Sequence, residues 1–403
     1  MKQLKPSKLP VSYILTIVFS VIFIFFGNRL AGRQVFAEQD TEFIRARVQE
    51  IVSVEKSGEE TADEGYESFS FTTIIFKAKA LSGSHKGEIL RCTQTLESLY
   101  ALSAPQVQER DNVLIEHIEE GEEDLTGNGQ TGYVLIDFVR TGPLVWLTAL
   151  FAVLVILLGR KKGANTLLSF VFSLCAIFLV LVPALLNGHN IYSWSLVICV
   201  YIVVANLLIV QGPSAKSLAA GLGCLGGVLC SGLIILLVNK PMYITGLLDD
   251  ETIYLKDMNI DIKGIVFCMI LIGSMGALMD MAMDIAAALH EVKEKKPDIG
   301  AVELMRSGLN IGQDLIGTMA NTLILAYIGE SMSFLLVMIY FSANTTHMLN
   351  REIIAVALLQ CIAGCLSLLA VVPLTSLFCS MFYMGKAKTV WYDNDDKDET
   401  PEL

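Results

Sequence analysis

Long apolar runs separated by short charged links organise this chain. Runs of about 17–25 apolar residues, enough to cross a hydrocarbon core about 30 Å thick, fall at 10–28, 143–160, 164–187, 190–211, 217–239, 263–288, 318–343 and 353–380. Between the first and second runs the pattern changes. Phe43 to Lys56, Phe69 to Ala80, Glu88 to Thr95, Asn112 to Glu119 and Gly132 to Phe138 are rich in Val, Ile, Phe and Thr. Turn clusters separate them, among them Ser57-Gly58, Ser82 to Gly87 and Gly127-Asn128-Gly129. Short strands with such punctuation predict a small closed sheet. The expected fold is a polytopic α-helical membrane protein of about eight transmembrane helices with a small all-β, OB- or SH3-like extracytoplasmic domain. The expected organisation is a membrane anchor or signal peptide at 1–37, the β domain at 38–140, seven helices over 141–385 and a polar cytoplasmic tail at 386–403. Arg29 and Arg33 stand between the first apolar run and the small residue Ala37, which favours an uncleaved anchor.

Composition strengthens the membrane reading. The chain is 53% hydrophobic and 17% charged, with mean hydropathy +0.57, whereas soluble proteins carry about 25% charged residues. The net charge of -12 is uneven: residues 38–140 hold 21 acidic against 9 basic side chains. That balance argues against nucleic acid or an anionic lipid surface as the partner of this segment. A protein or glycan contact, or a purely structural cap, fits it better. Lys2, Lys5, Lys8, Arg160, Lys161, Lys162, Lys216, Lys293, Lys295, Lys296, Lys386 and Lys388 all fall on one side if both termini are cytoplasmic. They outnumber Arg29, Arg33 and Lys240, so an N-in, C-in topology is expected. Only Cys92 of nine cysteines lies in the β segment, so no disulfide framework is available. Cys361 and Cys365 are four apart on one helix, and helix packing is the reading for them. No cofactor motif is present, and no metal is specified. The acidic loop 240–262 reads as a solvated connection, with an external lid as the rival reading.

The candidate chemistry lies on two neighbouring apolar segments. Gly273, Gly276, Asp280, Asp284, Ala287 and Glu291 recur in steps of three and four, which puts them on one helix face. Ser307, Asn310, Asp314, Gly317 and Asn321 repeat the pattern on the next segment. Counting back from His290 at about 1.5 Å per residue, Asp280 is roughly 15 Å deep. An acid at that depth costs on the order of 2.5–3.5 kcal/mol on insertion scales, so function is the first suspicion. The short link His290 to Ala301 makes the segments antiparallel neighbours. Gly273, Gly276 and Gly317 are expected to let them approach, so that Asp280, Asp284, Asn310, Asp314 and Asn321 meet around a polar cleft. Two carboxylates four apart cannot both ionise cheaply in a low dielectric, which suits a proton relay or an oxygen-ligated cation. The rival reading is that these groups lock a helix pair. Asn206, His347 and Gln360 are isolated and read as packing or loop residues. The Gly221, Gly223, Gly226, Gly227 and Gly232 group reads as a close-packing face.

Function classes can be weighed against these residues. Gly276, Asp280 and Asp284 reproduce the closing half of the CDP-alcohol phosphotransferase motif, but its arginine would fall at position 267, which is Phe267. The Gly-x-Gly-Asp segment of intramembrane aspartyl proteases is absent. An enzyme is therefore not expected. Transport of a small solute or ion through intramembrane carboxylates is the leading expectation, and a non-transporting scaffold whose β domain docks a partner is the alternative.

Gly276-Ala277-x-Met279-Asp280, the link Glu291-x-x-x-Lys295-x-Pro297, and Gly312-x-Asp314-x-x-Gly317-Thr318-Met319 leading into Asn321-Thr322-Leu323 carry a resemblance. Together with the turn Ser82-Gly83-x-x-Lys86-Gly87 and the entry Arg140-Thr141, they resemble the long form of the bacterial YibE/F-like multi-pass membrane proteins. The resemblance covers most of the chain, and Asp280, Asp314 and Asn321 match its pattern. It implies a bacterial plasma-membrane protein with an extracytoplasmic domain, often found beside a shorter paralogue, and hence a hetero-oligomer with that paralogue or a self-oligomer. It supplies no substrate.

Overall fold

The computed structural model describes residues 11–32, 43–57, 71–97, 105–117, 132–248, 260–341 and 344–384. The tail 386–403, the turn Gly127-Asn128-Gly129 and the loop acids Asp249, Asp250, Glu251 and Asp257 lie outside them. The chain separates into two compact units, Phe36–Leu154 and Met1–Val35 with Val155–Leu403.

The first unit is a closed five-stranded barrel. Strands β1 (Phe43–Ser57), β2 (Phe71–Ala80), β3 (Ile89–Glu97), β4 (Asn112–His117) and β5 (Tyr133–Phe138) close in the order β1-β2-β3-β5-β4. All neighbours are antiparallel except β3 and β5, which run parallel at Cys92–Tyr133 and Thr93–Val134. Closure depends on β1. At 15 residues it pairs with both β4 and β2, and register shifts at Val48/Glu50 and Ile51/Ser53 bend it between them. Strict alternation sends Ile44, Ala46 and Val48 inward to meet Ile74, Phe76, Ala78, Cys92, Val113 and Ile115. Gln94 is buried but satisfied: its amide donates to the Pro105 carbonyl at 3.0 Å and accepts from the Val107 N–H at 2.9 Å. The predicted 82–87 turn forms, with Gly83 and Gly87 at φ 83° and 97°, a region open to glycine at no steric cost.

The second unit is helical. Its elements are α1 (Val11–Ala31), α2 (Thr141–Ala176), α3 (Val182–Leu186), α4 (Ile191–Val210), α5 (Ala215–Asn239), α6 (Ile262–Lys295), α7 (Ala301–Glu330), α8 (Met332–Phe341), α9 (Thr345–Leu349) and α10 (Glu352–Met384). The first part of α2 belongs to the barrel unit. Six helical stretches among the described residues are long and apolar enough to cross a membrane, and α7 with α8 makes a seventh if that bent pair counts as one. One of the six, Thr141–Leu186, is 46 residues long, about twice what a span needs. It is broken at Arg160, whose φ of 47° and ψ of -125° are not helical. A Cβ at Gly163 would collide with the Val155 carbonyl, eight residues back, a contact no straight helix allows. Farther on, Pro183 removes an N–H, and the π-helical turn Ile177–Leu181 just before it absorbs the misfit.

The segment predicted as a span at 318–343 is different. Helix α7 begins at Ala301 and the axis turns by 59° at Ser331 into α8. Residues 302–317 look half-polar because only one face is buried: Leu304, Gly308 and Gly312 pack inward.

Glycines set the tightest contacts. On α5, a Cβ at Gly223 would overlap Thr375 of α10, one at Gly226 would lie 2.6 Å from Leu374, and one at Gly227 would overlap Val371. Thus α5 and α10 touch almost backbone to backbone, the close approach that small residues allow. Helix α7 leans on α10 in the same way, through Gly308 on Ser376 and Gly312 on Val372. At the other edge α1 packs against α4, with Phe23 stacked on Tyr201 at 4.1 Å.

Candidate functional site, an outward acid and amide face

Leu278, Met281, Ala282, Ile285 and Leu289 of α6 are fully buried in the helical core. That fixes the opposite face. Gly273, Gly276, Asp280, Asp284, Ala287 and Glu291 are all exposed, as their shared helical face requires. On α7 the buried positions Leu304, Gly308, Gly312, Leu323 and Tyr327 face inward, and Asn310, Asp314, Gly317 and Asn321 are exposed. Each stripe is therefore continuous, as the spacing predicts. The sequence reading has the two stripes meeting around a polar cleft; in the single chain their residues are exposed, on the side away from the core.

The reason is competition for α10. Among the three helices, α10 takes the apolar face of α6 and the glycine face of α7, so their contact with each other is the smallest. The antiparallel arrangement and the short link do form. Lys293 donates to the Pro297 carbonyl at 2.6 Å, Lys295 pairs with Glu291 at 2.7 Å, and Lys296 pairs with Glu303 at 2.8 Å. Among the described residues, none of Asp280, Asp284, Asn310, Asp314 or Asn321 makes a side-chain hydrogen bond or ion pair within the chain. By contrast, Ser307, Thr318 and Thr322 donate to carbonyls of their own helix.

The three glycines read as packing positions differ. A Cβ at Gly273 would lie 2.9 Å from the Tyr327 hydroxyl and 3.2 Å from the Gln360 amide, so this glycine does hold α7 and α10 close. Gly276 and Gly317 have nothing within 4 Å of such an atom. Within one chain they are smooth outward surface. Tyr327 and Gln360 thus join the upper end of the α6 stripe. Sequence reasoning missed this, because Gln360 is a lone amide in an apolar helix and Tyr327 is off the α7 stripe.

Two further polar features lie elsewhere. The Glu352 carboxylate accepts from the Thr245 N–H at 2.6 Å, the Gly246 N–H at 2.6 Å and the Thr245 hydroxyl at 2.7 Å, tying the start of α10 to the segment after α5. A cavity of about 480 Å³ at the adjoining ends of α5 and α6 is lined by Leu236, Asn239, Lys240, Tyr243, Thr245 and Lys263, none of them a stripe residue. Among the described residues, no group of three or more His, Cys, Asp or Glu side chains is arranged to hold a metal ion.

The outward stripe has a chemical consequence. Carboxylates and amides facing hydrocarbon would be left without partners, at a cost of several kcal/mol each. In a membrane such a face must meet water, another polypeptide, or both. The sequence profile of one family, described as YibE/F-like protein, matches residues 147–385, more than half of the chain. No curated protein and no solved structure matches it.

Proposed function

This chain belongs to the YibE/F-like family, and on that premise we propose that it transports a small solute or ion across a bacterial cell membrane. The route runs along the polar face of α6 and α7. Asp280 is the coupling carboxylate, Asp314 its partner across the face, Asp284 a second acid nearer the helix end, and Asn310 and Asn321 neutral ligands. The observation that carries this reading is a row of acids and amides inside long apolar helices, without partners in the chain. Acids so placed bind and release protons or cations as their surroundings change, and that is the chemistry of coupling.

In this reading the chain crosses the membrane eight times, because the break at Arg160 divides Thr141–Leu186 into two spans. Both termini are cytoplasmic, and the barrel, whose strand order fits an OB-like topology, is extracytoplasmic. The outward direction of the stripe supports a route at a boundary between protomers, with a second copy or a shorter paralogue as the other wall. The same direction favours one rival, a scaffold in which the stripe only docks a partner helix. Proteoliposomes containing a pH-sensitive dye separate the two. Imposed gradients of Na⁺, K⁺, Mg²⁺ or Mn²⁺, and a panel of small solutes, should include one that moves protons with the wild type and not with Asp280→Asn. A full panel without protein-dependent flux supports the scaffold.

A further inference from the structure

The barrel segment is acidic as a whole, but strand pairing segregates its charge. With Ile44, Ala46 and Val48 inward on β1, Arg45 and Arg47 point out. With Phe76, Ala78 and Ala80 inward on β2, Lys77 and Lys79 point out, and Arg91 does the same between Leu90 and Cys92 on β3. Five of the nine cations of residues 38–140 therefore share the outer surface of three adjoining strands. The register is specific. Arg47 is directly opposite Lys79, and Lys77 is directly opposite Arg91.

Neighbouring strands are about 4.8 Å apart and alternate residues about 6.8 Å. Arg47, Lys79, Lys77 and Arg91 thus form a zigzag row across β1, β2 and β3. Like charges directly opposite each other destabilise a sheet. Here two such pairs occur side by side. Glu50 offsets part of this through its 3.1 Å pair with Lys77, and Arg47 and Lys79 have no ion-pair partner among the described residues. A fold that keeps this repulsion within an acidic segment has a use for the positive row outside itself.

We propose that this row docks a linear polyanion that carries phosphodiester groups and no bases. Charge complementarity selects an anion, and Arg47 at the β1 end of the row favours bidentate phosphate. Width selects a thin chain. Glu50 and Glu55 of β1 lie on the same outer face, opposite Lys77 and Thr73, so a flat anionic bilayer would meet acids and cations together, whereas a single polymer strand lies along the cations. A single-stranded nucleic acid would need aromatic platforms for its bases, and the row holds none.

The test uses the full chain in nanodiscs of uncharged lipid at low salt, titrated with poly(glycerol phosphate). Binding should weaken roughly tenfold or more in Arg47→Gln/Lys79→Gln, with a shallower salt dependence. It should persist in Arg47→Lys and in Lys56→Gln, a control elsewhere on β1. The double variant removes a repulsion, so its melting temperature should be unchanged or higher, which separates lost binding from lost fold. Equal affinity of wild type and double variant overturns the proposal, as does absence of binding by the wild type. Tighter binding to anionic phosphatidylglycerol vesicles or to poly(dT), lost in the same double variant, overturns the class of ligand.

Discussion

Asp137 and Cys92 show how single positions in the barrel respond to their surroundings. The Phe138 N–H donates to the Asp137 carboxylate at 2.7 Å and Arg140 donates to it at 2.8 Å, so the backbone bond first and the arginine second hold this carboxyl below its ordinary value. A carboxyl depressed in the folded state stabilises above the unfolded value, near 3.9, and that stability is lost as pH falls through the folded value. Unfolding of the barrel should thus become easier below about pH 4, and Asp137→Asn should flatten that part of the curve. Parallel curves for wild type and variant would remove the role assigned to Asp137. Burial pushes the Cys92 thiol up to about 12. At pH 8 only about one part in ten thousand would be thiolate, and thiolate is the reactive form. A soluble maleimide should leave Cys92 unmodified in the folded barrel and label it on unfolding; labelling of the native state would contradict the burial.

At the scale of elements, the five strands were legible from composition and turn clusters. All five lie in the segments rich in Val, Ile, Phe and Thr, residue types that fit a pleated, half-buried surface. The ladder order was not legible, since it is set by bulges in β1 that no local pattern marks. Helix faces were equally readable: the stripes on α6 and α7 are continuous at the predicted residues. What they face was not. Spacing tells which residues share a side, whereas the choice of α10 as the common neighbour of α5 and α7 depends on the fit of Gly223, Gly308 and Gly312 to Thr375, Ser376 and Val372. Gly223→Val forces α5 off α10 and should lower stability by about 1–3 kcal/mol, the range for overpacking. Gly317→Ala meets open space in the chain and should leave the melting temperature of the detergent-solubilised monomer unchanged or raised, because alanine favours helix. A Gly223→Val protein as stable as the wild type would show that the α5–α10 contact is loose.

For the molecule as a whole, function turns on one property of the α6–α7 face. Its acids and amides point away from a core that is otherwise continuous and apolar, with Leu278 on the buried side of the same helix. Water in some state of the membrane-embedded protein makes that face a route; a permanently dry face makes it a seam. The most direct measurement is thiol accessibility in inside-out vesicles, with single cysteines at positions 280, 284, 314 and 321 in a cysteine-free background and a membrane-impermeant reagent. The transport account predicts labelling at 280 and 314 and none at a cysteine replacing Leu278. Absence of labelling at every stripe position, in protein that accumulates normally in the membrane, would contradict it.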